Sequence, residues 1–391
     1  MKKIFSLIGI GLLAGVNAFG QAALETSDTY TLEGFWDEDG EELTEVQVNG
    51  VLQGLTVGLD GDNDDPDRLY TAYNLDITFP YGFEVTKEDD VYDVYLNYDS
   101  DIYPYTGKKT KTYTHTISGN WRNGNTIRIA CYSSSNQDLL GQTGNLFDVY
   151  FQATSPYVKP GLNKLSFSGM KLVITEGSQG YKPADMDKEF TVEEATMSVD
   201  VNIGAGRWGT LLLPFDQNVP AGMQAFTCGS VQDGKVKATA VSQMEAYKPY
   251  LVYSETGYSA TLSGKNSATK YEAAVSASGY SENGILSGAV TPQTISTGYV
   301  LQTLEGQQKF YYTNAQTFVI PSGKCWLEVG AEAKELAIEV DSEADRIEAA
   351  EQQVAGSKEQ VAGAYNLAGQ RVGADYKGIV IKNNQKVLNN K

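Results

Sequence analysis

Tyr73-Asn74-Leu75-Asp76-Ile77-Thr78-Phe79 alternates apolar and polar residues without a break, and Pro80 and Gly82 close it. Successive side chains of an extended chain point to opposite faces, so Tyr73, Leu75, Ile77 and Phe79 share one side and the polar residues the other. A strand with one buried and one wet face belongs to an antiparallel sheet packed on one side only. The same pattern returns at 92–98, 112–118, 126–132, 147–153, 165–170 and 172–174, with turn residues at Gly119-Asn120, Asn123-Gly124 and Pro160-Gly161 between runs. Seven or more short strands with no long helix between them predict an antiparallel sandwich over 22–196.

A second β-rich block follows over 197–340, with strands predicted at 208–215, 250–253, 299–303, 309–313 and 324–329 and an exposed Ser/Ala/Gly-rich excursion at 263–281. The charged stretch Val192-Glu193-Glu194-Ala195-Thr196 reads as the boundary between two independent domains. A helix or linker is expected over 341–360. Ser342 and Asp345 offer a capping box there, and Ile347, Ala350 and Val354 form a narrow apolar stripe. The tail, 361–391, reads as two strands, 364–372 and 378–388, joined through Gly373-Ala374-Asp375. The fold class is therefore all-β: two sandwich-like domains in tandem, a short linker and a C-terminal hairpin.

Residues 1–21 read as a secretory signal peptide: Lys2 and Lys3, then an apolar run, then small residues around Val16-Asn17-Ala18. The run is shorter than the roughly 20 apolar residues of a membrane span, and no later stretch reaches that length. A secreted or outer-surface location follows, with no membrane insertion after cleavage. Losing Lys2 and Lys3 takes the formal charge from −19 to −21. Nucleic acid is excluded as a partner, because phosphate is held by clustered Lys and Arg and these are scattered here. Cys131, Cys228 and Cys325 are too few for a disulfide framework; buried free thiols are expected, with a Cys228–Cys325 bridge as the alternative.

Three stretches carry a resemblance. Tyr70-Thr71-Ala72-Tyr73-Asn74-Leu75-Asp76-Ile77-Thr78-Phe79-Pro80-Tyr81-Gly82, with the later strands around Ile127-Arg128-Ile129 and Phe147-Asp148-Val149, resembles the cohesin-like, carbohydrate-binding-superfamily sandwich of secreted Bacteroidales proteins. Trp208-Gly209-Thr210-Leu211-Leu212-Leu213-Pro214-Phe215 and Ile320-Pro321-Ser322-Gly323-Lys324-Cys325-Trp326 resemble a second β-rich domain of the same proteins. Tyr365-Asn366-Leu367-Ala368-Gly369-Gln370-Arg371-Val372 is similar to type IX secretion sorting tails, although Val380 stands where an aromatic is usual and Asn384-Gln385 replaces a glycine. The resemblance implies export, surface attachment and ligand binding by the first sandwich.

His115 is the sole histidine, so any histidine-assisted nucleophile or zinc site would have to be built on it. In Tyr113-Thr114-His115-Thr116 it reads as a solvent-facing strand residue. Paired carboxylates would serve a glycosidase without histidine, yet Asp37-Glu38-Asp39 and Glu88-Asp89-Asp90 sit in hydrophilic turns where solvated charge is the default. Asp60, Asp62 and Asp64, in Asp60-Gly61-Asp62-Asn63-Asp64-Asp65-Pro66-Asp67, place oxygen ligands at alternate positions, and a weak calcium site competes there with a solvated insertion. No other cofactor is implied. Tyr103 and Tyr105 flank Pro104, Lys108 and Lys109 follow, and Trp121 comes soon after: these form the expected aromatic and basic binding edge. The expected function is non-enzymatic binding or adhesion, to a glycan or a surface protein; the alternative is a carbohydrate-active enzyme or its accessory subunit.

Overall fold

The computed structural model describes residues 23–61, 67–107, 111–175, 180–330 and 333–341, together with the strands of the C-terminal segment. The chain divides into two compact units, one ending at Glu339 and the other beginning at Val340.

The first half is a two-sheet sandwich. Its larger sheet runs in the order Leu24–Glu25, Gly180–Lys182, Gly161–Val173, Ala72–Thr78, Thr126–Ser133, His115–Arg122, with Met186–Val192 also pairing to Gly161–Val173. Its smaller sheet runs Thr29–Asp37, Gln53–Asp60, Gly144–Ala153, Phe83–Val85, with Val94–Leu96 also pairing to Gly144–Ala153. Every strand pair is antiparallel except Leu24–Glu25 with Gly180–Lys182. The period-two pattern translates directly into burial. Tyr73, Leu75 and Ile77 of one sheet, and Phe147, Val149 and Phe151 of the other, all turn inward. Rings cross the interface: Tyr73 stacks on Phe147 at 5.9 Å, and Phe79 meets Phe151 at 5.4 Å. Burying each such side chain stabilises by roughly 1.5–3 kcal/mol.

Gly119-Asn120 is not a turn. Gly119 lies inside His115–Arg122, opposite Ile129. A Cβ there would sit 2.8 Å from Ile127 Cδ1 and 2.9 Å from Val94 Cγ2, so this glycine lets Val94 close over the sheet edge.

The second block is built on a ten-stranded sheet running from Arg207–Leu212 to Tyr280–Asn283. The predicted strands are present with shifted ends, as Arg207–Leu212, Pro249–Ser254, Tyr299–Leu304, Gln307–Tyr312 and Cys325–Leu327. The expected excursion at 263–281 instead contains the helix Ala268–Ala274. Its Tyr271 is buried edge-to-face on Tyr247, 5.1 Å between centroids, and ion pairs of Lys270 with Asp216 and of Glu272 with Lys159 flank that anchor.

Apolar packing crosses the expected boundary at 196. The sandwich core continues into Met197, Val201, Leu211, Leu213, Phe215 and Met244. The residues read as a charged linker are structural: Glu193 accepts from the Val48 amide at 3.1 Å, and Glu194 from the Ala268 amide at 2.7 Å. Ala195 exchanges hydrogen bonds with Asn266 in both directions, at 2.8 and 3.0 Å. Tyr157 donates to the Leu212 carbonyl at 2.8 Å, lying so close to Gly323 (φ +78°) that any Cβ there would meet the phenol oxygen at 2.1 Å.

The C-terminal unit is a four-stranded antiparallel sheet, Arg371–Val372, Ala364–Asn366, Gly378–Lys382, Gln385–Asn389, where a two-stranded hairpin was expected. Each expected strand is divided in two. The helix expected within 341–360 and the signal segment 1–21 lie outside the described residues.

Candidate functional site

Tyr103 and Tyr105 are two residues apart and end in opposite environments. Tyr103 is core: 1% exposed, its hydroxyl 2.7 Å from that of Tyr73 and donating to the Leu146 carbonyl at 2.7 Å. Burial pushes its phenol well above the ordinary range. The expectation that it forms part of a binding edge is therefore corrected. Pro104 lies between the two rings, and its carbonyl accepts from the Thr114 amide and hydroxyl, both at 3.1 Å, which fixes Tyr103 inward.

His115 is corrected as well. It is buried beside Tyr103, 5.4 Å between ring centroids, and burial lowers its imidazole below the ordinary value of 6.5. Alternation placed it correctly on a strand, but this strand turns its first residue into the sandwich.

Tyr105 remains outside, 46% exposed, on a two-rung ladder in which Tyr105–Thr106 pairs with Thr112–Tyr113. Tyr113 joins it at 6.1 Å, and Tyr98, 55% exposed, packs on Tyr113 at 4.9 Å. The Tyr113 hydroxyl donates to the Tyr98 carbonyl at 3.3 Å. Lys111 Nζ stands 4.6 Å over the Tyr105 ring. Lys108 and Lys109 lie outside the described residues. Trp121 is not part of this group: it is half-buried between Phe79 (6.5 Å) and Tyr92 (6.3 Å), six residues beyond His115 on the same strand, or about 20 Å away at strand rise.

The outward face of the smaller sheet carries a second aromatic set. Trp36 and Tyr150 flank Gly54 in one cross-strand row; Asp148 stands between Thr56 and Tyr95 in the next. A Cβ on Gly54 would lie 2.1–2.4 Å from three carbons of the Trp36 ring, so the indole lies face-down over the strand where only glycine leaves room. Its Nε1 donates to Thr56 Oγ1 at 3.0 Å, and that hydroxyl donates to Asp148 at 2.7 Å. Asn97 donates to both Asp148 oxygens, at 3.1 and 3.2 Å. Burial, with Asp99 nearby, raises the Asp148 carboxyl above its ordinary range, against those hydrogen bonds. Tyr150 stands at 86° to the indole, 4.7 Å away, and Tyr95 at 82° to Tyr150, 5.8 Å away. The outward half of this set was legible, because Asp148, Tyr150 and Gln152 alternate with the inward Phe147, Val149 and Phe151. Its neighbours, Trp36 and Tyr95, come from strands distant in sequence.

Asp60 is exposed at the end of Gln53–Asp60, whereas Asp62 and Asp64 lie outside the described residues. After the acidic loop, Arg68 pairs with buried Asp28 at 3.0 Å and lies 4.9 Å over the Tyr181 ring. Among the described residues no group of three or more His, Cys, Asp or Glu side chains is placed to hold a metal. The three cysteines are buried and free, each thiol pushed up to about 12 by burial, so Cys228 and Cys325 are unbridged core residues. No helix among the described residues is long and apolar enough to cross a membrane.

No family model and no curated protein matches the chain. Among solved structures it is similar to a cohesin module from a family 33 glycoside hydrolase of Clostridium perfringens, with 15% identity over 43% of this chain and 98% of that one, TM-score 0.31. It is also similar to a non-cellulosomal cohesin of the archaeon Archaeoglobus fulgidus, with 17% identity over 42% and 91%, TM-score 0.27. The major pilin subunit of Bacillus cereus, BcpA, matches at 9% identity over 81% and 69%, TM-score 0.27. Likenesses at these scores assign no function.

Proposed function

We propose that the chain is a non-enzymatic, exported binding or adhesion module that holds a carboxylate-bearing partner, an acidic glycan or an acidic protein segment, on its tyrosine hairpin. The supporting observation is Lys111 poised over the exposed Tyr105 ring within the Tyr98, Tyr105 and Tyr113 cluster. Exposed rings supply contact area with few rotatable bonds to freeze, and a cation among them selects an anionic group. Lys108 and Lys109 stand close to Lys111 in the sequence. In a chain of net charge −19, a local basic group steers acidic partners to this one place.

Surface display through the tail belongs to the same proposal, supported by the resemblance of 365–372 to sorting segments and by the compactness of the C-terminal sheet as its own unit. Binding of the exported protein to immobilised polyglutamate, alginate and polygalacturonate tests the hairpin. Lys111→Glu should abolish retention and slow association at low salt, while Tyr105→Ala should weaken it about tenfold. Retention unchanged by both substitutions overturns the assignment, and hydrolysis of any of these glycans would replace it with the enzyme reading.

A further inference from the structure

The face of the smaller sheet differs from the hairpin in one decisive respect, which is charge. Around Trp36, Tyr150 and Tyr95 the ionisable groups include Asp148 with Asp99 nearby, Asp93 (accepting from the Tyr95 hydroxyl at 2.9 Å), Glu84 (accepting from Gln152 at 2.9 Å) and Glu42, which bridges to Trp36. We infer that this face is a separate binding site for a neutral saccharide, with Trp36 as the stacking platform and Asp148 as its polar edge.

Three features lead there. The indole is immobilised before any ligand arrives, its back on Gly54 and its N–H on Thr56, so little freedom is lost on contact. Tyr150 stands at right angles to the indole and Tyr95 at right angles to Tyr150, so no ring lies flat against the next, and a pyranose ring presents a flat face of C–H groups with hydroxyls around its rim. The polar groups beside the rings are dominated by carboxylate acceptors, which suit hydroxyl donors and repel sulfated or uronate sugars. A glycine at position 54 has the same implication. It costs strand stability and is retained where another group must approach the backbone, and here that group is the platform itself.

A cationic peptide would also be drawn to these acids, and ionic strength separates the two occupants. Affinity electrophoresis of the exported protein through gels containing β-glucan, xylan, mannan or starch should show retardation by at least one polymer. Raising NaCl from about 0.05 to about 0.5 M should leave it unchanged, since a neutral ligand is not screened. Tyr95→Ala, at an exposed ring, and Gly54→Ala, which must displace the indole, should each weaken retention about tenfold. Lys111→Glu should not affect it. Thermal melts establish that the variants are folded, and Tyr95→Ala stands as the test if Gly54→Ala fails to fold. Passage unretarded through all four polymers overturns the inference, as does retardation that survives both substitutions. So does binding of an oligolysine peptide to this face, lost at the higher salt, in place of the sugars. Because the hairpin and the face carry opposite charge and are probed by different ligands, either assignment can fail while the other stands.

Discussion

The tyrosine hairpin and the aromatic sheet face use the same kind of side chain and hold it in different ways. On the hairpin, Tyr98, Tyr105 and Tyr113 lean on one another across a ladder of two residue pairs, and the cation over them is a lysine on a flexible stem. On the face, Trp36 is fixed by a glycine floor, a hydroxyl and the strand register of a five-stranded sheet. The first is an adaptable contact whose affinity depends on charge, and the second is a rigid platform whose affinity depends on shape. What separates them is the depth of backbone hydrogen bonding beneath the rings rather than ring chemistry.

Removing the footing that the hairpin shares with the core should have the largest effect. Tyr103→Ala should destabilise the protein by about 3–5 kcal/mol in urea unfolding, as loss of a buried aromatic does. Tyr103→Phe should cost about 1–3 kcal/mol, because the Leu146 carbonyl and the Tyr73 hydroxyl lose their partner. A cost below that for the alanine change would mean that the hairpin is anchored elsewhere.

A middle-sized effect is expected of pH. The His115 imidazole is held below 6.5 by burial, so the unfolded chain binds more protons than the native one between the two values. Its contribution to stability is complete above pH 6.5 and falls as pH drops through that value towards the lowered one. Melting temperatures at pH 7.5 and 5.5 should therefore differ more in the native protein than in His115→Phe; equal differences would place His115 in solvent, as its sequence pattern implied.

The smallest effect should follow Tyr98→Ala with Tyr105→Ala, within about 0.5 kcal/mol each, because both rings stand largely in water. A larger loss would make the hairpin a packing element and bring it closer in character to the sheet face.

The alternating stretches were legible because period two is a local property of an extended chain. Tyr73, Leu75 and Ile77 turn inward as their spacing requires, and so do Phe147, Val149 and Phe151. Errors gathered where local patterns compete with distant partners. Glu193 and Glu194 look like solvated linker charges, yet Glu193 accepts the Val48 N–H within the first block and Glu194 accepts the Ala268 N–H of the second. Gly119 looks like a turn because glycine usually marks one, yet Val94 needs its missing Cβ. Tyr271 sits in a run of small polar residues, and the partners that hold the helix around it, Tyr247, Asp216, Lys159 and Glu194, are all distant in sequence.

By itself, the sequence determined the all-β class, the inward faces of the sandwich strands, the acidic charge balance, and the free state expected of three scattered cysteines, since each depends on composition or on near neighbours. The tertiary structure alone decided that Tyr103 and His115 are core while Tyr105 is surface, that the sandwich core extends into the second β-rich block, and that Trp36, Tyr95, Asp148 and Tyr150 meet. Each of those depends on which strands lie side by side. Strand order is a choice among long-range pairings, and the alternation of a single strand leaves that choice open.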